Sequence, residues 1–159
     1  MLTITILAVG RLKDEWLHLA AREYAKRAGA FFKLHVEEIP QAKLEKDPSG
    51  AQISIALERE AQEILKRIPS RVWVAALCIE GQPLDSMQFA QKIECVSAEA
   101  SHAVFIIGGS HGLSDKVKQA ANMRFSMSAM TFSHRLARIM LCEQLYRAGS
   151  IIAGTKYHK

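Results

Sequence analysis

Gly108, Gly109 and Gly112 stand within FIIGGSHGL, residues 105 to 113, directly after an apolar run. A glycine turn at the end of a buried strand can bring bare backbone to a ligand. Phosphate is the first ligand to test. A phosphate loop carries Lys and then Ser or Thr directly after its last glycine, whereas Leu113 follows Gly112 here. The dinucleotide fingerprint opens early in a chain, with other spacing and an acidic residue about twenty positions on. Gly108-Gly109-Ser110-His111-Gly112 fits neither pattern. Two readings remain. In one the glycines supply positive φ to a tight strand-to-helix turn. In the other the missing side chains let backbone approach a flat ligand.

The second informative stretch is SMSAMTFSHRLARIMLCEQLYRAGSIIAGTKYHK, residues 126 to 159. Ser126 to Phe132 is small and apolar, with the composition of a loop. A helix is expected from Ser133 to Ala148, and its apolar residues cover most of its circumference. Such a helix must be covered on nearly every side, which a small domain struggles to do alone. A subunit interface is therefore expected, most simply a twofold homodimer. Glu143 and Arg147, four apart, can pair along this helix. Cys78, Cys95 and Cys142 have the spacing of neither a zinc site nor a disulfide framework, and read as small core residues.

The elements that must position these residues alternate. Residues 2 to 9 form an apolar, β-branched run, read as a buried strand rather than a signal peptide. Asp14 to Ala28 has helical spacing, with Trp16, Leu19, Ala20 and Tyr24 sharing a side. Phe32, Leu34 and Val36 alternate with polar residues as a half-exposed strand. PQAKLEKDPSG, residues 40 to 50, reads as a mobile loop. A helix follows from Ile53 to Ile68, ended by Pro69. VWVAALCI, residues 72 to 79, is a buried strand, and EGQPLDS a turn. Asp85 or Ser86 can cap a helix to Val96. AVFII is a fourth strand, Ser114 and Asp115 start a short helix, and RFSMS is a weaker fifth strand. Strand and helix alternating five times predict a single α/β domain, 1–159, with a largely parallel sheet flanked by helices. Strand order is not readable from this.

Apolar residues at 49% and charged residues at 23% are a globular balance, not a disordered one. No apolar run reaches bilayer length, so no membrane partner is expected, and a cytoplasmic location follows. The net charge of +5 is spread along the chain from Arg22 to Lys159. It favours a polyanionic partner without identifying one.

The glycine turn, then Ser128-Ala129-Met130-Thr131-Phe132-Ser133-His134, then EQLYRA at 143 to 148 and the terminal Tyr157-His158-Lys159 resemble the RlmH (YbeA) family. The opening ITILAVGRLK and the overall length match as well. These are SPOUT-class methyltransferases of large-subunit ribosomal RNA. The resemblance implies an α/β knot, with the C-terminal portion threaded through a loop, a topology otherwise strongly disfavoured. It implies a homodimer that binds S-adenosylmethionine, needs no metal, and methylates N3 of pseudouridine 1915 in the 23S rRNA of the ribosome. By motif match, Leu77, Gly108 and Met127 through Phe132 would contact the cofactor: Met127, Ser128, Ala129, Met130, Thr131 and Phe132. Gly109 would leave backbone bare beside Gly108, and Leu77, Met130 and Phe132 would wall the slot. Two departures stand out, since the family usually has proline where Ser133 stands and glutamine where Arg135 stands. Serine keeps the ability to cap.

Four side chains are candidates for the chemistry the resemblance implies. His134 follows the cofactor loop and could accept a proton, or cap the helix, or pack. Arg147, or Arg138 one face over, could hold phosphate or polarise the base; the alternative for Arg147 is a structural pair with Glu143. Tyr157 and His158 lie in a tail that could fold over a partner subunit's site or stay free. His111 could line the site, while His18, His35 and His102 read as surface or packing residues. Two other function classes remain: a non-catalytic ribosome-binding or assembly factor, and a nucleotide-dependent oxidoreductase, against which the missing fingerprint weighs.

Overall fold

The computed structural model describes residues 1–158; Lys159, part of the terminal motif, lies outside them. Five strands and five helices alternate: β1 (Thr3–Val9), α1 (Glu15–Ala28), β2 (Lys33–Ile39), α2 (Gly50–Arg67), β3 (Trp73–Pro83), α3 (Ser86–Glu99), β4 (His102–Ile107), α4 (Asp115–Ala120), β5 (Met123–Ser126) and α5 (His134–Ile152). All strand pairs are parallel, in the order β2-β1-β4-β3-β5. A parallel sheet buries both faces of its central strands, so β1, β4 and the first part of β3 are apolar throughout, while edge strand β2 stays largely exposed. Successive residues therefore feed two cores. Ile4, Ile6, Ala8, Ala75, Ala103, Phe105 and Ile107 point to the face covered by α1, α3 and α5. Leu7, Val9, Val74, Ala76, Val104 and Ile106 point to the face that meets Ala61 and Ile64 of α2 and Val117 of α4. Three rings fasten the first core near the sheet edge. Phe89 of α3 stacks on Phe125 of β5 at 5.5 Å, and Phe105 meets Phe125 edge-on at 6.3 Å.

Several boundaries depart from the sequence expectation for identifiable reasons. α2 starts at Gly50, because Ser49 and Gln52 form a capping box. Asp85 and Gln88 do the same for α3. The stretch 40 to 49 carries no regular structure, but the Ala42 N–H donates to buried Glu60 at 3.0 Å. Glu80–Pro83, expected as a turn, continues β3 instead. The register slips between Leu77 and Gln82, and the strand then pairs again with Phe125 and Ser126. Beyond Leu77 this strand has β5 as its only neighbour, so Pro83 occupies an edge where a missing N–H is tolerated. α5 runs past Ala148 to Ile152. Gly149 lets the ring of Phe31 lie 2.4 Å from where a Cβ would stand, so this glycine serves close packing rather than a helix end.

In α1 the side facing the sheet is Leu17, Ala21 and Ala28, with Tyr24 and Ala25 packed alongside. Trp16 and Leu19 of the expected stripe are 62% and 54% exposed. The helix carries two apolar stripes, and spacing alone does not say which one meets the sheet. α1 and α5 lie side by side with their N-termini at the same end, where Arg135 stands 3.9 Å from Asp14. Leu136 is also open at that end. The cysteines divide as well. Cys142 is buried, with its thiol pushed up to about 11 by burial, whereas Cys78 is half-buried and Cys95 exposed, so Cys95 is not a core residue.

Candidate functional site

Parallel strands end together, so the C-terminal ends of β3, β4 and β5 lie side by side. Loops leaving such ends are where α/β sheets bind ligands. Here they enclose a cavity of about 820 Å³. Leu77, Gly108, Gly109, Met127, Ser128, Met130, Thr131 and Phe132 all line it, drawn from three separate segments of the chain. Ala129 does not. The inner walls are Leu77, Ile107, Leu113 and Phe125, and His111 lines the cavity too. Met130 is 71% exposed and Phe132 39%, so these two expected walls stand partly in solvent.

The glycine turn has its own reason for lacking side chains. A Cβ on Gly108 would lie 2.4 Å from the carbonyl oxygen of Gly112, so the turn folds back onto its first glycine. The Gly112 N–H donates to Gly109 O at 3.1 Å, and Gly112 has φ +78, a left-handed value that favours glycine. The tight-turn reading thus accounts for Gly108 and Gly112. The same backbone still faces the cavity. The following loop is braced by serines: Ser126 donates to Ser128 O at 2.8 Å, and the Met130 N–H donates to Ser128 Oγ at 3.0 Å.

Ser133 caps α5, its Oγ accepting from the Arg135 N–H at 3.3 Å, so the cap does not fall to His134. His134 lines the cavity, with Nε2 3.4 Å from where a Cβ on Gly10 would stand. Burial, and then the charges of Arg135 and Arg138, hold its imidazole below the ordinary histidine value. Arg138 itself is buried. It donates to Glu38 at 2.6 Å and to Gly10 O at 2.8 Å, which locks α5 to the ends of β1 and β2. It is a structural tie, not a surface group able to meet phosphate.

Residues 2–158 match the family described as "Predicted SPOUT methyltransferase". Two relatives are each named ribosomal RNA large subunit methyltransferase H. That from Alkaliphilus oremlandii is 41% identical and that from Leuconostoc mesenteroides 40%, each over 99% of this chain and 100% of the relative. The chain belongs to the SPOUT methyltransferases, in the RlmH family. The likeness in fold reaches a more distant structure. A probable methyltransferase from Bordetella pertussis Tohama I superposes with a TM-score of 0.58 at 14% identity, over 93% of both chains.

In this SPOUT chain the other candidate residues gather away from the cavity. Arg147 lies thirteen residues after His134 on α5, which places it about 20 Å further along the axis. Glu143 accepts from Arg147 Nε at 3.1 Å and Nη2 at 2.6 Å, and from the Tyr157 hydroxyl at 3.1 Å. The hydrogen bond to Glu143 raises the Arg147 pKa, and burial followed by the same carboxylate raises that of Tyr157. The Tyr157 ring lies 4.4 Å from that of Tyr146 and 4.7 Å from the Arg147 guanidinium. The tail is therefore folded back onto α5 at Tyr157. His158 follows it, exposed.

Residue-by-residue reasoning missed Cys78, Ile79, Glu80 and Lys118 as cavity residues. The first three had a signal, since they directly follow Leu77 at a strand's C-terminal end; Lys118 had none. That signal was obscured because Glu80 reads as the start of a turn. Among the described residues no group of His, Cys, Asp and Glu is arranged to hold a metal ion, and no helix is long and apolar enough to cross a membrane.

Proposed function

We propose that this protein transfers a methyl group from S-adenosylmethionine to large-subunit ribosomal RNA, at N3 of pseudouridine 1915 of the 23S molecule, and works as a homodimer in the cytoplasm. The observation that carries this reading is the convergence of Leu77, the 108–112 turn and the 127–132 loop on one cavity. The names of the relatives support large-subunit ribosomal RNA as the target class, and the base and position follow from the family resemblance.

The lining suits an uncharged nucleoside. Leu77, Ile107, Leu113 and Phe125 give apolar walls for a purine, and the backbone of the glycine turn and the 127–132 loop gives donors and acceptors for its edge. No phosphate cradle is required. When bound, the cofactor supplies a methyl group already made electrophilic by its sulfonium. The protein's work is then orientation and proton handling. Holding the imide nitrogen in line contributes much of the acceleration. His134 faces the cavity, and burial and the neighbouring arginines favour its neutral imidazole, the state needed to accept the N3 proton. Arg147 and Tyr157, pre-set by Glu143, and His158 beside them are too far along α5 to serve the cavity of their own chain. In a twofold dimer they serve the partner's cavity. The open apolar side chains Trp16, Leu19 and Leu136 on neighbouring α1 and α5 supply the contact for that dimer. Threading of the C-terminal segment as a knot belongs to the same reading, because the chain leaves the sheet edge at β5 and returns to the α1–α3 face as α5.

The test is incubation with labelled cofactor and intact ribosomes, followed by mass-spectrometric mapping of the modified base. Label on N3 of that pseudouridine is expected. Binding of cofactor with no methyl gained by any ribosomal particle would favour an assembly factor and overturn catalysis. Light scattering at micromolar concentration should report a dimer, and a stable monomer would remove the shared site.

A further inference from the structure

Glu80 is the only acid among the described residues that line the cavity, beside Lys118, Arg135, His111 and His134. An acid at the mouth of a site that faces RNA opposes the approach of phosphates, unless its charge has another use. Glu80 is brought there by the irregular part of β3. The strand departs from its register after Leu77, and Gly81 lets it cross β5, because a Cβ there would lie 2.6 Å from the backbone of Phe125. The detour puts Glu80 on the cavity lip, where its carboxylate pairs with the Lys118 ammonium arriving from α4. The Lys118 side chain is only 18% exposed, low for a lysine, while Glu80 is 53% exposed. The pair is neutral in sum, with its two poles side by side on one wall.

We propose that Glu80 and Lys118 are the seat for the α-amino-acid end of the cofactor. Lys118 donates to its α-carboxylate and Glu80 accepts from its α-ammonium. A zwitterion laid against an ion pair of opposite sense satisfies all four charges and leaves the wall neutral toward RNA. A purine needs neither pole, and the apolar inner walls account for it separately. This inference rests on the reading of the cavity as the cofactor site.

The test compares two ligands by calorimetry on the full chain. S-adenosylhomocysteine carries the amino acid; 5′-methylthioadenosine keeps the purine, ribose and thioether without it. Charge-assisted hydrogen bonds imply that Lys118→Met or Glu80→Gln weakens S-adenosylhomocysteine by about 10- to 100-fold, with methylthioadenosine unchanged. The reversed pair, Glu80→Lys with Lys118→Glu, keeps an ion pair between α4 and β3. If the pair only fastens these elements, the reversed variant binds S-adenosylhomocysteine as the parent does, and the proposal is overturned. It is also overturned if each single variant weakens both ligands equally. Failure of the unsubstituted protein to bind either ligand would instead bring down the cofactor reading itself.

Discussion

Replacing Arg138 with Met keeps the length of the side chain and removes its charge. The guanidinium is buried and donates to Gly10 O at 2.8 Å and to Glu38 at 2.6 Å. Without it the Gly10 carbonyl, on a buried residue, loses a donor, which costs about 1–3 kcal/mol. The Glu38 side chain is 37% exposed and can rehydrate, so the lost ion pair adds only about 0–1 kcal/mol. A destabilisation of about 1–4 kcal/mol follows from these terms. For a chain of this size that is a fall in Tm of about 2–16 °C. Urea unfolding at fixed protein concentration, with an unchanged m-value, measures it. Glu38→Gln should cost at least as much as Arg138→Met, because it leaves the buried guanidinium without a counter-charge. The double variant should be non-additive. A loss below about 0.5 kcal/mol for Arg138→Met, within the range of ordinary surface substitutions, would refute the assignment of Arg138 as the tie between α5 and β1.

Other outcomes follow from the same geometry. Gly108→Ala places a Cβ 2.4 Å from Gly112 O, so the turn must open. Affinity for S-adenosylhomocysteine should fall more than about tenfold in calorimetry, and an unchanged affinity would place the ligand elsewhere. Gly112→Ala meets no atom within 4 Å but keeps φ +78, and should cost about 1–2 kcal/mol in stability. His134 has its folded pKa depressed by burial and two arginines, so its contribution to stability is present above the unfolded value of about 6.5 and is lost as pH falls through the folded one. His134→Gln should flatten the fall in Tm between pH 7 and 5, and an unaltered slope would assign that fall to other groups such as His102. Tyr157→Phe removes the hydroxyl that donates to Glu143 at 3.1 Å. Methylation of ribosomes should drop while S-adenosylhomocysteine affinity holds, and a parallel loss of both would place Tyr157 at the cofactor instead.

The alternation of elements was readable because the strands are apolar runs and the helices carry caps. Ser49, Asp85, Ser114 and Ser133 all stand at N-caps. Strand order was not readable, since Ile6 pairs with both Val36 and Phe105 through backbone groups common to every residue. The residues brought together at the cavity came almost wholly from the family motif, and spacing alone had left the glycine turn undecided. Glu80 and Lys118 lie 38 positions apart and meet only because Gly81 admits a detour in β3. No local pattern announces such a meeting. The outward face of α1 was hidden for a related reason. Trp16 and Leu17 are both apolar, and which one is buried depends on α5, more than a hundred residues later.

That dependence bears on how the polypeptide matures. Phe125, Leu141, Cys142, Leu145 and Ala148 are made last, yet they seal the layer against which Phe89 and Phe105 rest. A nascent chain halted before Met123 would leave those two rings without Phe125 and the cover of α5 while still attached to its own translating ribosome. Completion of the greasy interior and assembly of the ligand niche therefore coincide.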